Sequence, residues 1–147
     1  MSRAAEAAEK IASSQMNCAQ AVLTAFNEEL GLGKPTALKI ALPFGAGMGR
    51  TNGICGAATG AYMVLGLRPY EGLTPVEKKE KVYALVGEFN RRFKALHQFI
   101  GCSQLLGCNL GTPEGMASAK DKKLTNSVCP GLVADAVSIL EGLYQEE

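Results

Sequence analysis

The tetrapeptide Thr74-Pro75-Val76-Glu77 and the stretch behind it constrain the fold most. Thr74 supplies an N-cap hydroxyl, Pro75 suits the first helical position, and Glu77 closes a capping box. Downstream, Val82, Val86, Phe89, Phe93, Leu96 and Ile100 recur at three- and four-residue intervals, the period of one helix face. The charges between them, in "EKKEK" and "NRRFK", mostly fall off that stripe and read as a solvated face. An amphipathic helix of this length needs neighbours to cover it. No segment shows the sustained alternation of a strand, so those neighbours are helices.

The rest of the chain supplies them. Ala4, Ala8, Ile11 and Ala12 mark a first helix, and Asn17 is a candidate N-cap for a second, Cys18 to Leu30. Gly31–Lys34 ends it, and Pro35 starts a short helix to about Leu42. Phe44–Gly53, with four glycines and Asn52, reads as a loop before a helix from Ile54 to Leu67. Gly101 breaks the long helix ahead of a short segment, Cys102–Leu106. Thr112–Gly115 opens another short helix, and the last begins at Cys129-Pro130-Gly131 with Leu132, Val133, Ala136, Ile139, Leu140 and Leu143 inward. The expectation is a compact all-α bundle of about six to seven helices without a sheet, residues 1–147 forming one domain. A chain of this length buries roughly 70% of its unfolded surface, so no disulfide or metal is needed to fold it.

Composition narrows the function classes. A formal charge of +1 gives no electrostatic reason to bind nucleic acid or an acidic membrane surface. The start of the chain carries Glu6, Glu9 and Lys10 where a signal peptide would need an apolar core. The longest apolar window, Ala57–Leu67, falls well short of the ~20 residues that span a bilayer. These features predict a cytoplasmic protein without membrane insertion. Five cysteines in that compartment point to metal binding or redox chemistry rather than structural disulfides.

Their positions sharpen the inference. Cys18 follows the candidate cap Asn17, Cys55 follows Asn52 by three residues, Cys102 opens the segment after Gly101, and Cys129 precedes Pro130 as an N-cap. All four map to helix N-termini, where free N–H groups and the helix dipole favour an anion and make a thiol more acidic. Cys108 follows Gly107 at a helix C-terminus and stands outside the set. Any one of these cysteines reads equally well as a small buried hydrophobe. Four at like positions favour a shared site.

The motif Cys55-Gly56-Ala57-Ala58-Thr59-Gly60, with "MNCAQAVLTAF", "FGAGMGR", "GCSQLLGCNL" and "CPGLVADAVSILE" around it, resembles the C_GCAxxG_C_C family over nearly the whole chain. That resemblance implies helical proteins with four signature cysteines, here Cys18, Cys55, Cys102 and Cys129, and a redox role. The chemistry open to them is thiol–disulfide exchange or ligation of an iron–sulfur cluster or another thiolate-bound metal, with a redox partner unknown. No CxxC or CxxCH occurs. Two other readings stand beside this one. One is a non-enzymatic binding or assembly module, a homodimer among its forms, with buried cysteines. The other is a site for an anionic small molecule at the glycine loop and Arg50. His97, the only histidine, reads as a structural residue beside the apolar stripe.

Overall fold

The computed structural model describes residues 1–146. Its helices are α1 (Arg3–Ala12), α2 (Cys18–Thr24), α3 (Lys34–Ala41), α4 (Gly56–Leu67), α5 (Pro75–His97), α6 (Cys102–Leu106), α7 (Pro113–Asp121), α8 (Leu124–Ser127) and α9 (Cys129–Gln145). A 3-10 turn at Leu42–Phe44 leads into a tightly wound segment, Gly45–Arg50. Among the described residues there is no sheet, only an isolated antiparallel bridge between Ile54 and Gly101. The fold is all-α, as its patterning predicts.

The core forms where α1 lies along α9 and α2 lies against α4, with α9 also touching α2, α4 and α5. Phe26, Leu23, Leu65, Phe89, Phe93 and Leu140 are fully buried there. The inward face expected of α9, from Leu132 through Leu143, is buried at every named position. The helical run Leu124–Gln145, joining α8 to α9, has the length and composition of a bilayer span. A buried core helix meets the same description, and the packing of α9 against α1, α2, α4 and α5 accounts for its apolar face.

Helix α4 approaches α2 closely because it presents glycines. A Cβ at Gly56 would lie 2.9 Å from the Cys18 Cβ, and one at Gly60 would lie 2.8 Å from the Ala19 carbonyl oxygen. The spacing of these two glycines thus sets the distance between the two helices.

Helix α5 starts as its capping box dictates. The Thr74 hydroxyl accepts from the Glu77 N–H at 3.2 Å, and the Glu77 carboxylate accepts from the Thr74 N–H at 3.1 Å. Its buried face, however, is Leu85, Phe89 and Phe93, with Val82 and Val86 half-buried and Leu96 exposed. The helix ends at His97, where Gln98 turns to a φ of 72°, so Ile100 lies beyond it. Residues 71–80 are exposed throughout, so the first turns of α5 project from the bundle. The stripe read from sequence is therefore rotated and shortened.

Two other elements differ from expectation. Helix α2 stops at Thr24, because Ala25 and Phe26 donate to residues three positions back and tighten the chain. The loop at Phe44–Gly53 is not open coil. Ala46, Gly47, Met48, Gly49 and Arg50 all have positive φ, between 54° and 72°, and form a turn of left-handed helix. Left-handed geometry costs an L-residue about 1–2 kcal/mol. Glycine relieves that cost at only two of the five positions.

Candidate four-cysteine site

Four chain segments deliver one thiol each. Asn17 caps α2 through a reciprocal box with Gln20, its side chain accepting from the Gln20 N–H at 2.9 Å. It also donates to the Leu42 carbonyl at 2.9 Å, which ties the start of α2 to the turn before the left-handed segment. Cys18 is thereby fixed as the first residue of α2. Cys55 is the N-cap of α4, its carbonyl accepting from Ala58 and Thr59.

Cys102 opens α6, and the Ile54–Gly101 bridge ties its backbone to the segment that carries Cys55. The Cys55 N–H donates to the Ile100 carbonyl at 2.8 Å, and the Cys102 N–H donates to the Gly53 carbonyl at 3.0 Å. The left-handed turn presses in from the other side, where a Cβ on Gly47 would lie 2.7 Å from the Cys102 Cβ. Cys129 is the first residue of α9.

The four N-terminal placements hold, with two adjustments. Cys55 is a cap rather than a first-turn residue, and Cys129 is a first-turn residue rather than a cap. Val128 before it is already helical, with φ −97° and ψ −49°, so Pro130 interrupts a helical run instead of starting one. Pro130 still withholds an N–H that would otherwise bond backward.

Cys18, Cys55, Cys102 and Cys129 all line one cavity of about 480 Å³. Each is buried, and each is a free thiol. Cys108 is half-buried and does not line the cavity, though its charge is felt at Cys102. His97 does not line it either. Its Nε2 lies 2.8 Å from Asp135 Oδ2 on α9, a tie between the long helix and the last one.

The electrostatics correct one expectation. Helix N-termini were expected to acidify all four thiols, yet only Cys129 is lowered. The Cys18 thiol lies against Cys129 and lends it a hydrogen bond, which lowers Cys129 and raises Cys18 well above the ordinary range. Burial pushes Cys55 up to about 12, although the Ala57 and Ala58 amides pull the other way. Burial, followed by repulsion from Cys129 and Cys108, pushes Cys102 up to about 11. Desolvation outweighs what the helix ends offer, because a buried thiolate loses its water. Burial and mutual repulsion thus hold Cys18, Cys55 and Cys102 towards the protonated thiol, and Cys129 is the one of the four moved towards the thiolate.

Sequence reasoning missed Lys120, on the last turn of α7, which lines the cavity with Arg50. It sits in a run of exposed charges, "KDKK", and no local signal separates it from a solvated lysine. The apolar wall, including Met16, Leu42, Leu110 and Met116, was likewise unread.

The donor set is four thiols, a set suited to soft metals. Among the described residues no three His, Cys, Asp or Glu side chains group closely enough to hold one metal ion. A single tetrahedral zinc with Zn–S bonds of about 2.3 Å does not fit that spread. A polynuclear cluster, whose metal atoms stand between its ligands, is compatible with thiolates distributed around a cavity.

The model of the C_GCAxxG_C_C family, described as "Putative redox-active protein", matches residues 16–143. Comparison with curated proteins and with solved structures finds no match.

Proposed function

The chain belongs to the C_GCAxxG_C_C family, described as "Putative redox-active protein", and from that premise we propose that Cys18 and Cys129 form a working dithiol–disulfide pair. The observation carrying this reading is that Cys18 and Cys129 open two helices onto one cavity, where their interaction lowers the Cys129 thiol and raises Cys18. A thiolate is the nucleophile in exchange, and a neighbouring thiol is what resolves the mixed disulfide it forms. Cys129 attacks a disulfide sulfur, Cys18 then attacks Cys129, and two electrons pass to the substrate. Cys55 and Cys102 line the same cavity from the two sides of the Ile54–Gly101 bridge, set diagonally rather than opposite each other, and are not needed for this exchange.

The second reading is an iron–sulfur site, favoured by the convergence of all four thiols on one cavity. Cys18, Cys55, Cys102 and Cys129 would hold the cluster, which supplies one-electron transfer when bound. The first reading is preferred because it needs only the contact already described.

Reduced protein, prepared without oxygen, is treated with a small disulfide and mapped by non-reducing peptide mass spectrometry. The dithiol reading expects a Cys18–Cys129 linkage that reductant reverses. Stoichiometric iron with visible absorption in the anaerobic protein supports the cluster instead. Metal-free protein with four unreactive thiols defeats both, and leaves a non-enzymatic helical module whose function survives serine at all four positions.

A further inference from the structure

We propose that the cavity is a substrate pocket for a small organic disulfide with an apolar body and an anionic end. This rests on the dithiol reading above and adds what the pair acts upon.

Access decides first between a macromolecule and a small molecule. The four thiols are only 3–9% exposed and line the cavity wall. Attack on a disulfide requires the sulfur nucleophile to line up with the S–S bond. A folded protein cannot bring its disulfide to such buried sulfurs, whereas a small molecule inside the cavity can. At about 480 Å³ the volume falls within the ordinary range of small-molecule sites.

The wall then selects chemistry. Met16, Leu42, Leu105, Leu110, Met116 and Leu132 give it an apolar surface suited to a hydrocarbon body. Among the described residues, the charged groups lining the cavity are Arg50 and Lys120, both cationic. Both are exposed, and neither has an ion-pair partner among the described residues. No carboxylate lines the cavity to offset them. An anionic substrate end paired with these cations leaves its apolar remainder directed to the wall and the thiols.

The step balances with the substrate disulfide as oxidant. The Cys129 sulfur bonds to one substrate sulfur while the S–S bond breaks, and the departing thiolate takes the Cys18 proton. The Cys18 sulfur then bonds to Cys129 and expels the second substrate thiolate. The protein gains one disulfide, and the substrate leaves as one thiol and one thiolate, which takes its proton from water.

Two measurements on the full chain test this. Binding of octanoate and of octanamide to reduced protein is measured by calorimetry, in wild type and in the double variant Arg50→Gln, Lys120→Gln. Exchange rates with the dianionic 5,5′-dithiobis(2-nitrobenzoate) and the neutral 4,4′-dithiodipyridine are measured in the same two proteins. The preference for the anionic partner should fall about tenfold in the variant by both measures, the size expected of two exposed charge contacts. It should also weaken as salt is raised. A preference that is absent in wild type, or that survives in the variant, overturns the proposal even where the Cys18–Cys129 disulfide forms. If the preference is present but neither reagent produces that disulfide, the dithiol reading fails and the disulfide substrate fails with it.

Discussion

Replacing Cys18 with alanine isolates the contact on which the redox reading depends. In the folded protein the Cys18 hydrogen bond is the largest influence on Cys129 and lowers it, while burial alone acts to raise it. A hydrogen bond to a charged group contributes about 1.5–3 kcal/mol, which is about one to two pKa units. Cys18→Ala should therefore move the Cys129 titration upward, since burial then acts unopposed. The rate at neutral pH falls by less than the thiolate fraction, because a more basic thiolate is a stronger nucleophile. With a Brønsted coefficient of about 0.4–0.5, alkylation of Cys129 at pH 7 should slow roughly three- to fifteen-fold. The assay is iodoacetamide alkylation of reduced protein between pH 6 and 10, resolved by site with mass spectrometry. Cys18→Ser, whose hydroxyl still donates, should fall between wild type and alanine. An unchanged Cys129 profile in Cys18→Ala would refute the reasoning, as would Cys55 or Cys102 alkylating ahead of Cys129 in wild type.

Alkaline stability follows from the raised thiols. Cys55, at about 12 when folded, stabilises fully below the unfolded thiol's ~8.5 and loses that contribution as pH rises towards 12. By pH 10.5 the loss from Cys55 alone is roughly 2–3 kcal/mol, read as the change in denaturation midpoint from pH 8; a Cys55→Ala variant with an equally steep decline would contradict it. Gly56→Ala forces a methyl to within 3.0 Å of the Ala19 amide nitrogen, which cannot swing aside. It should cost about 1–3 kcal/mol and lower the melting temperature by several degrees, and an unchanged melting temperature would place α2 and α4 further apart than described. Cys108→Ser should leave both the Cys18–Cys129 linkage and the Cys129 alkylation profile within twofold of wild type, since Cys108 lies off the cavity; loss of the linkage in non-reducing peptide maps would put Cys108 in the exchange pathway.

What the sequence carried and what it withheld divide along the reach of the forces. Thr74, Pro75 and Glu77 act on one another within a single turn, so the start of α5 was legible from four residues. The inward face of α9 was legible because six apolar positions repeat without interruption. The face of α5 was not, because its burial depends on partners. Tyr62 of α4 stands edge-on to Phe89, and Phe89 stacks on Phe93, which turns the helix towards Leu85 and leaves Leu96 in solvent. The thiols divide in the same way. The places of Cys18 and Cys102 at helix starts were written in Asn17 and Gly101, whereas the acidity of the thiols depends on burial and on one another, which only the assembled chain determines.

The left-handed turn joins these two levels. Glycines at 45, 47, 49 and 53 announce a loop, but Ala46, Met48 and Arg50 between them give no sign that all five residues from 46 to 50 will take positive φ. At about 1–2 kcal/mol for each of the three non-glycine residues, the segment would not hold this shape in isolation. Its ends are fixed from outside. Asn17 binds the Leu42 carbonyl, the Thr59 hydroxyl binds the Phe44 carbonyl at 3.1 Å, and the Gly47 carbonyl takes the Gly53 N–H at 2.9 Å. Beyond Gly53 the chain enters the bridge that ties the segment carrying Cys55 to the backbone of Cys102. Clamped this way, the turn lowers Gly47 onto Cys102 and leaves Arg50 on the cavity lining with no ion-pair partner among the described residues. A right-handed turn of the same residues would relieve the strain, but the clamps at Leu42, Phe44 and Gly53 would then have to break. The strain is therefore coupled to the geometry of three of the four thiols, and relaxing the turn would disturb Cys55 and Cys102 through Gly53 and Gly47, and Cys18 through the Asn17–Leu42 hydrogen bond, before it reached Cys129.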